Sequence, residues 1–159
     1  MRSRSTLGAV AVLTGALAAA GLAFAPTAGA VSPGSATATY DCGSWGGGGA
    51  TLTATQSGTA ATITISSAVT TPVAVGTDTI SSTLTLAKAG GGTRVFTGKK
   101  NPARSAGQSV IMGPLSGTVA SGDSLNSYFA GVALKMVIFG VTVNCDAVTS
   151  QSPGPFVFS

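Results

Sequence analysis

Ser35-Ala36-Thr37-Ala38-Thr39-Tyr40-Asp41-Cys42, near the start of the chain, and Val141-Thr142-Val143-Asn144-Cys145, near its end, decide the fold. In both, small or apolar residues alternate with polar ones, which is the period of a strand with one buried face. Ala36, Ala38, Tyr40 and Cys42 share one side of the first strand, with Thr37, Thr39 and Asp41 on the other. Val141, Val143 and Cys145 share one side of the second, with Thr142 and Asn144 opposite. Each strand therefore ends on a cysteine turned toward the core. These are the chain's two cysteines. Paired, they would close a loop of about a hundred residues and stabilise the fold by roughly 4–5 kcal/mol, chiefly by restricting the unfolded chain.

The same alternation fills the sequence between them. Residues 50–56 and 61–66 form a predicted hairpin across Ser57-Gly58-Thr59, with Leu52, Ala54, Ile63 and Ile65 facing inward. Residues 79–87 place Ile80, Leu84 and Leu86 on one side. Further strands are expected at 93–98, 109–112 and 115–120, and a last one at 132–145, where Gly140 marks a bulge. Pro72 makes 69–75 an edge strand or a loop, because proline cannot donate to a ladder. Residues 43–49 are a Gly-rich loop around Trp45, and 99–108 a basic loop. No stretch carries helical periodicity. Short strands punctuated by Gly-rich turns predict an all-β fold, an immunoglobulin-like antiparallel β-sandwich of about seven to nine strands over residues 31–146. Residues 147–159 are either a C-terminal tail or an added edge strand.

The opening thirty residues have another character. Arg2 and Arg4 precede an apolar, Ala-rich run from Leu7 to Phe24, and Ala28-Gly29-Ala30 supplies the small-x-small pattern of signal-peptidase sites. The expectation is a signal peptide over 1–30, a mature chain from Val31 secreted to the cell exterior, and no membrane span after cleavage. An oxidising exterior is also where two cysteines pair. The mature chain keeps Lys88, Arg94, Lys99, Lys100, Arg104 and Lys135 against Asp41, Asp78, Asp123 and Asp146. A net charge of about +2 does not point to nucleic acid.

Chemistry-bearing residues are sparse. The sequence has no His, and all four of its acidic residues are Asp. That removes the commonest general base and the commonest zinc ligand. Gly122-Asp123-Ser124-Leu125 spells the nucleophile motif of the GDSL esterases. That family activates its serine with a histidine, so Ser124 reads as part of a turn and a Ser124 hydrolase is the lesser alternative. No Ser-x-x-Lys arrangement, phosphate loop or calcium-loop spacing occurs. The chain is expected to be non-catalytic, with no metal and no cofactor. Two binding features remain. Arg94, Lys99, Lys100 and Arg104 fall within eleven positions and could meet an anionic cell-wall or extracellular polymer. Trp45, in its flexible loop near Tyr40, could offer an aromatic contact. The stretch 134–139 is apolar on both faces, as in either a central strand or an exposed patch.

The composition, the Ala-rich leader and the two cysteine-bearing strands resemble small exported β-sandwich proteins of actinomycetes, which have a terminal cysteine pair and an uncharacterised function. The chain is also similar in size and composition to the actinomycete chromoprotein carriers of the neocarzinostatin type. That similarity implies a small apolar-ligand carrier, although those proteins have two disulfides where this chain can form one. Sandwich-type cellulose-binding modules likewise tie their ends with one cysteine pair, but bind through a row of surface tryptophans where this chain has one. A binding or structural role at the cell surface or in the medium is the expected function.

Overall fold

The computed structural model describes residues 31–159. The expected signal peptide, residues 1–30, lies outside the described residues. All regular structure is β apart from one 3-10 turn at Gly43–Trp45. The strands are β1 (Ser35–Asp41), β2 (Gly47–Ser57), β3 (Ala60–Thr70), β4 (Ser81–Lys88), β5 (Thr93–Gly98), β6 (Ser109–Thr118), β7 (Ser124–Ser127), β8 (Leu134–Ile138), β9 (Val141–Ala147) and β10 (Phe156–Val157).

Alternation is obeyed almost residue by residue. Leu52, Ala54, Ile63, Ile65, Leu84, Leu86 and Phe96 are buried, while the threonines between them face outward. The two sheets expected of an Ig-like sandwich are not separate. The strands form one hydrogen-bonded ring, β4-β5-β6-β3-β2-β1-β9-β8, closed by pairing of β8 back onto β4. The fold is therefore an eight-strand barrel. Its ladders are long within two four-strand groups, β1-β2-β3-β6 and β5-β4-β8-β9, and short where the groups meet. β5 and β6 share one residue pair, Thr97 with Ser116. β1 and β9 share two, Tyr40 with Ala147 and Asp41 with Asp146. Strand alternation gives the all-β character and the buried faces, but it is silent on which strands pair and on whether the edges of the two groups join.

The disulfide Cys42–Cys145 sits at the second of these seams, one position beyond the Asp41–Asp146 pair, with its Cα atoms 4.0 Å apart. Cys145 is fully buried. The link continues covalently a ladder that hydrogen bonds barely begin.

Residues 132–145 are a second correction. They form a hairpin rather than one bulged strand: Phe139 and Gly140 both take positive φ (52° and 79°) and reverse the chain, so Ile138 pairs with Val141 and Leu134 with Cys145. Two successive residues of positive φ make the tight turn whose twist matches that of flanking strands.

The barrel's two ends differ. At the lower end, β4 hands its edge from β8 to β7, and β7 pairs with β10. Within residues 147–159, Phe156–Val157 are thus an added two-residue strand that covers this end. Phe156 and Phe158 are fully buried in edge-to-face contact. Val157 exchanges two backbone hydrogen bonds with Ser32, and the Gln56 side chain binds the backbone of Ser159. The upper end, ringed by the 3-10 turn, the β8–β9 turn and the 71–80 loop, stays open.

Candidate functional site

The open end holds a cavity of about 520 Å³. Its walls are Val110 and Met112 on β6, Leu134, Met136 and Ile138 on β8, and Val143 on β9, of which strand alternation in the sequence turned Val143 inward. This resolves the stretch 134–139. Leu134, Met136 and Ile138 face the cavity, Lys135 and Val137 face outward, and Phe139 stands at the turn tip. Val75 enters from the loop above, and Ser44, Trp45, Ser67, Val69, Thr70, Val73, Phe139 and Val141 rim the mouth. No charged side chain lines it.

The space exists because β3 and β6 part company at this level. They run in step from Ala60 to Ile63, shift once at Gly113-Pro114, and lose register again between Ser66 and Thr70. There, four positions of β3 span what two of β6 cover, so the wall bows outward. Asn101, itself buried, ties down the far half of the 71–80 loop beside the opening. The Asn101 Oδ1 accepts from the backbone N–H groups of Thr79 and Ile80, at 2.8 Å each, and its Nδ2 donates to the Gly76 carbonyl at 2.6 Å. Asn101 is missed by sequence reasoning, since an asparagine in a basic loop carries no signal of which distant backbone it will bind. Two polar groups of the lining are already engaged. The Ser67 hydroxyl accepts from the Val69 N–H, and the Thr71 hydroxyl donates to the Ser105 carbonyl.

Of the residues singled out in the sequence, Cys42 and Cys145 are joined and Trp45 reaches the cavity mouth, 51% exposed. The four cations do not form one patch. Arg94 lies toward the lower end of β5, with its Nε 2.7 Å from the Asp123 carboxylate. Lys99 and Lys100 follow the opposite end of that strand, about 15 Å away at strand rise. Lys100 pairs with Asp78 at 3.2 Å, and Arg104 pairs through its backbone with Val75. Lys99 and Lys135 border a shallow outer groove over β4 and β8.

The segment Gly122-Asp123-Ser124-Leu125 is a turn leading into β7. Its aspartate is buried and committed: Asp123 accepts from Arg94 and from the Ala120 N–H, and pairs with Lys88 at 3.3 Å. The Arg94 hydrogen bond chiefly holds the Asp123 carboxyl down at about 2, against the opposing pull of its burial, with help from Ala120 and Lys88. Asp41 and Asp146 face each other across the seam, both exposed. Burial pushes the Tyr40 hydroxyl up to about 12. Among the described residues, no group of three or more His, Cys, Asp or Glu is placed to hold a metal ion, and no helix is long and apolar enough to cross a membrane.

No family model, curated protein or solved structure matches the chain.

Proposed function

We propose that the protein is a non-catalytic, exported carrier that binds one small apolar molecule in the open end of its barrel. The uncharged cavity of about 520 Å³ carries this conclusion. Eight strands is the barrel size at which the interior is either filled by side chains or holds one small ligand. Here both happen, with a packed lower half and an open upper half. The volume falls in the range of cavities that enclose drug-sized molecules, and binding there would remove apolar wall and apolar ligand from water together. Export is supported by the leader-like first thirty residues and by the disulfide, which fits an oxidising compartment. A carrier needs no acid, base or nucleophile, which accords with the composition of this lining.

Titration with phenylnaphthylamine, an uncharged fluorophore that brightens in apolar surroundings, tests the proposal. The mature protein should bind one equivalent. Val110→Phe, which puts a ring into the cavity from a buried wall position, should weaken binding roughly tenfold or more, equivalent to about 1.4 kcal/mol, while leaving the far-UV circular dichroism unchanged. Absence of saturable binding by the wild type would refute a carrier.

A further inference from the structure

Phe139 is in the wrong conformation for its residue type. It sits at the first turn position between β8 and β9 with φ of 52°, where Asn, Asp or Gly are at ease and a bulky side chain is strained. It is also 65% exposed, so the protein's own packing does little to offset that cost. The tight turn needs a positive φ at this position but does not need a phenylalanine to supply it, and backbone strain of this kind clusters at ligand sites. Phe139 rims the cavity mouth, and so does Trp45, the other aromatic ring there, likewise mostly exposed. Trp45 ends the turn between β1 and β2, and since β1 and β9 are neighbours, the two rings stand on adjacent turns of the same rim. Below them the wall offers the thioethers of Met112 and Met136, which make favourable contacts with aromatic rings.

We infer that the molecule carried is a planar, uncharged aromatic compound, its ring system held at the mouth by Trp45 and Phe139 with its edge toward the methionines. This rests on the carrier reading and specifies its ligand. An aliphatic chain would gain the same desolvation from the valine and isoleucine walls, but little from two ring faces presented to solvent. A charged compound would lose its hydration in a lining with no counter-charge, where Ser67 and Thr71 are already bonded to backbone.

The decisive variants are Phe139→Asn and Trp45→Ala, with Phe139→Leu as a second change at the strained position. Phe139→Asn relaxes the turn and should raise the melting temperature by about 2–5 °C. The same variant should weaken phenylnaphthylamine binding roughly 5–10-fold. Trp45→Ala and Phe139→Leu should weaken it similarly, the latter showing that apolar bulk without a ring does not suffice. Naphthol should displace the probe at lower concentration than decanol. Unchanged affinity in the folded variants, or displacement by decanol at least as effective as by naphthol, would overturn the aromatic assignment while leaving the carrier standing. A wild type that binds no probe would remove both.

Discussion

Asp123 is approached from three directions, by the guanidinium of Arg94, the ammonium of Lys88 and the amide of Ala120. Its own backbone also receives the amide of Phe158, so the same residue anchors the segment that closes the lower end. Its carboxyl is depressed in the folded state relative to the unfolded chain, from 3.8 to about 2. A depressed carboxyl contributes stability that is fully present above the unfolded value and is lost as pH falls through the folded one. The contribution is roughly 2 kcal/mol, with Arg94 and Lys88 each partly solvated. Asp123→Asn should therefore destabilise the protein at pH 7 by roughly that amount or more, since it leaves Arg94 without a charged partner. In urea titrations from pH 7 down to pH 2, the gap between wild type and variant should narrow below about pH 4. A gap that stays constant with pH would show that the charge on Asp123 contributes nothing. The sequence displays this aspartate only as a letter of an esterase-like motif. Its partners come from β4, β5 and the turn before it, and a chain read in order does not show three such elements converging.

At the level of elements, period-two alternation reports faces and little else. It placed Ile80, Leu84, Leu86, Leu52 and Ile63 inward, and all are buried. It could not separate one long strand from a hairpin at 132–145, because the turn is made by Phe139-Gly140 instead of the Asn-Gly or Asp-Gly that announces such turns. It read 109–112 and 115–120 as two pieces where β6 runs through both with a register shift at Gly113-Pro114. β7 went unseen because Ser-Leu-Asn-Ser offers a single apolar residue. The β5–β6 seam, with one residue pair, depends on a close approach that only glycine permits. A Cβ on Gly117 would lie 2.6 Å from the Phe96 ring and 2.8 Å from the Val95 carbonyl. Gly117→Ala should cost about 1–3 kcal/mol, measured by equilibrium urea unfolding. A neutral substitution would mean that the two strand groups are not in contact there.

For the molecule as a whole, the cavity was not legible, and the reason is physical. Its wall residues look like ordinary core residues: Val110, Met112, Met136 and Val143 follow the same alternation as the packed lower half. What empties the space between them is a mismatch in register between β3 and β6, and a mismatch belongs to two strands jointly rather than to either sequence. The cysteine pair was legible because alternation put both sulfurs on the inward side of two strands near the ends of the domain, now β1 and β9. Its importance is larger than its loop alone suggests, since the seam it ties has only two ladder pairs. Replacing Cys42 and Cys145 together by Ser should lower stability by about 2–5 kcal/mol. The β1–β9 amides should then exchange with solvent faster than those of β2 and β3, as read by hydrogen exchange. Uniform loss of protection across all strands would instead show that the link acts on the unfolded chain alone.

Phe156 and Phe158 stopper the base of the barrel, both fully buried. Under the carrier proposal, a guest can only retreat along the path by which it arrived. Exchange of one guest for another is then sequential, with each departure preceding the next arrival, and a surplus of competitor cannot hasten the first departure. The residence time becomes a property of the rim alone, so substitutions at the turns should alter release rates and those at the stoppered base should not.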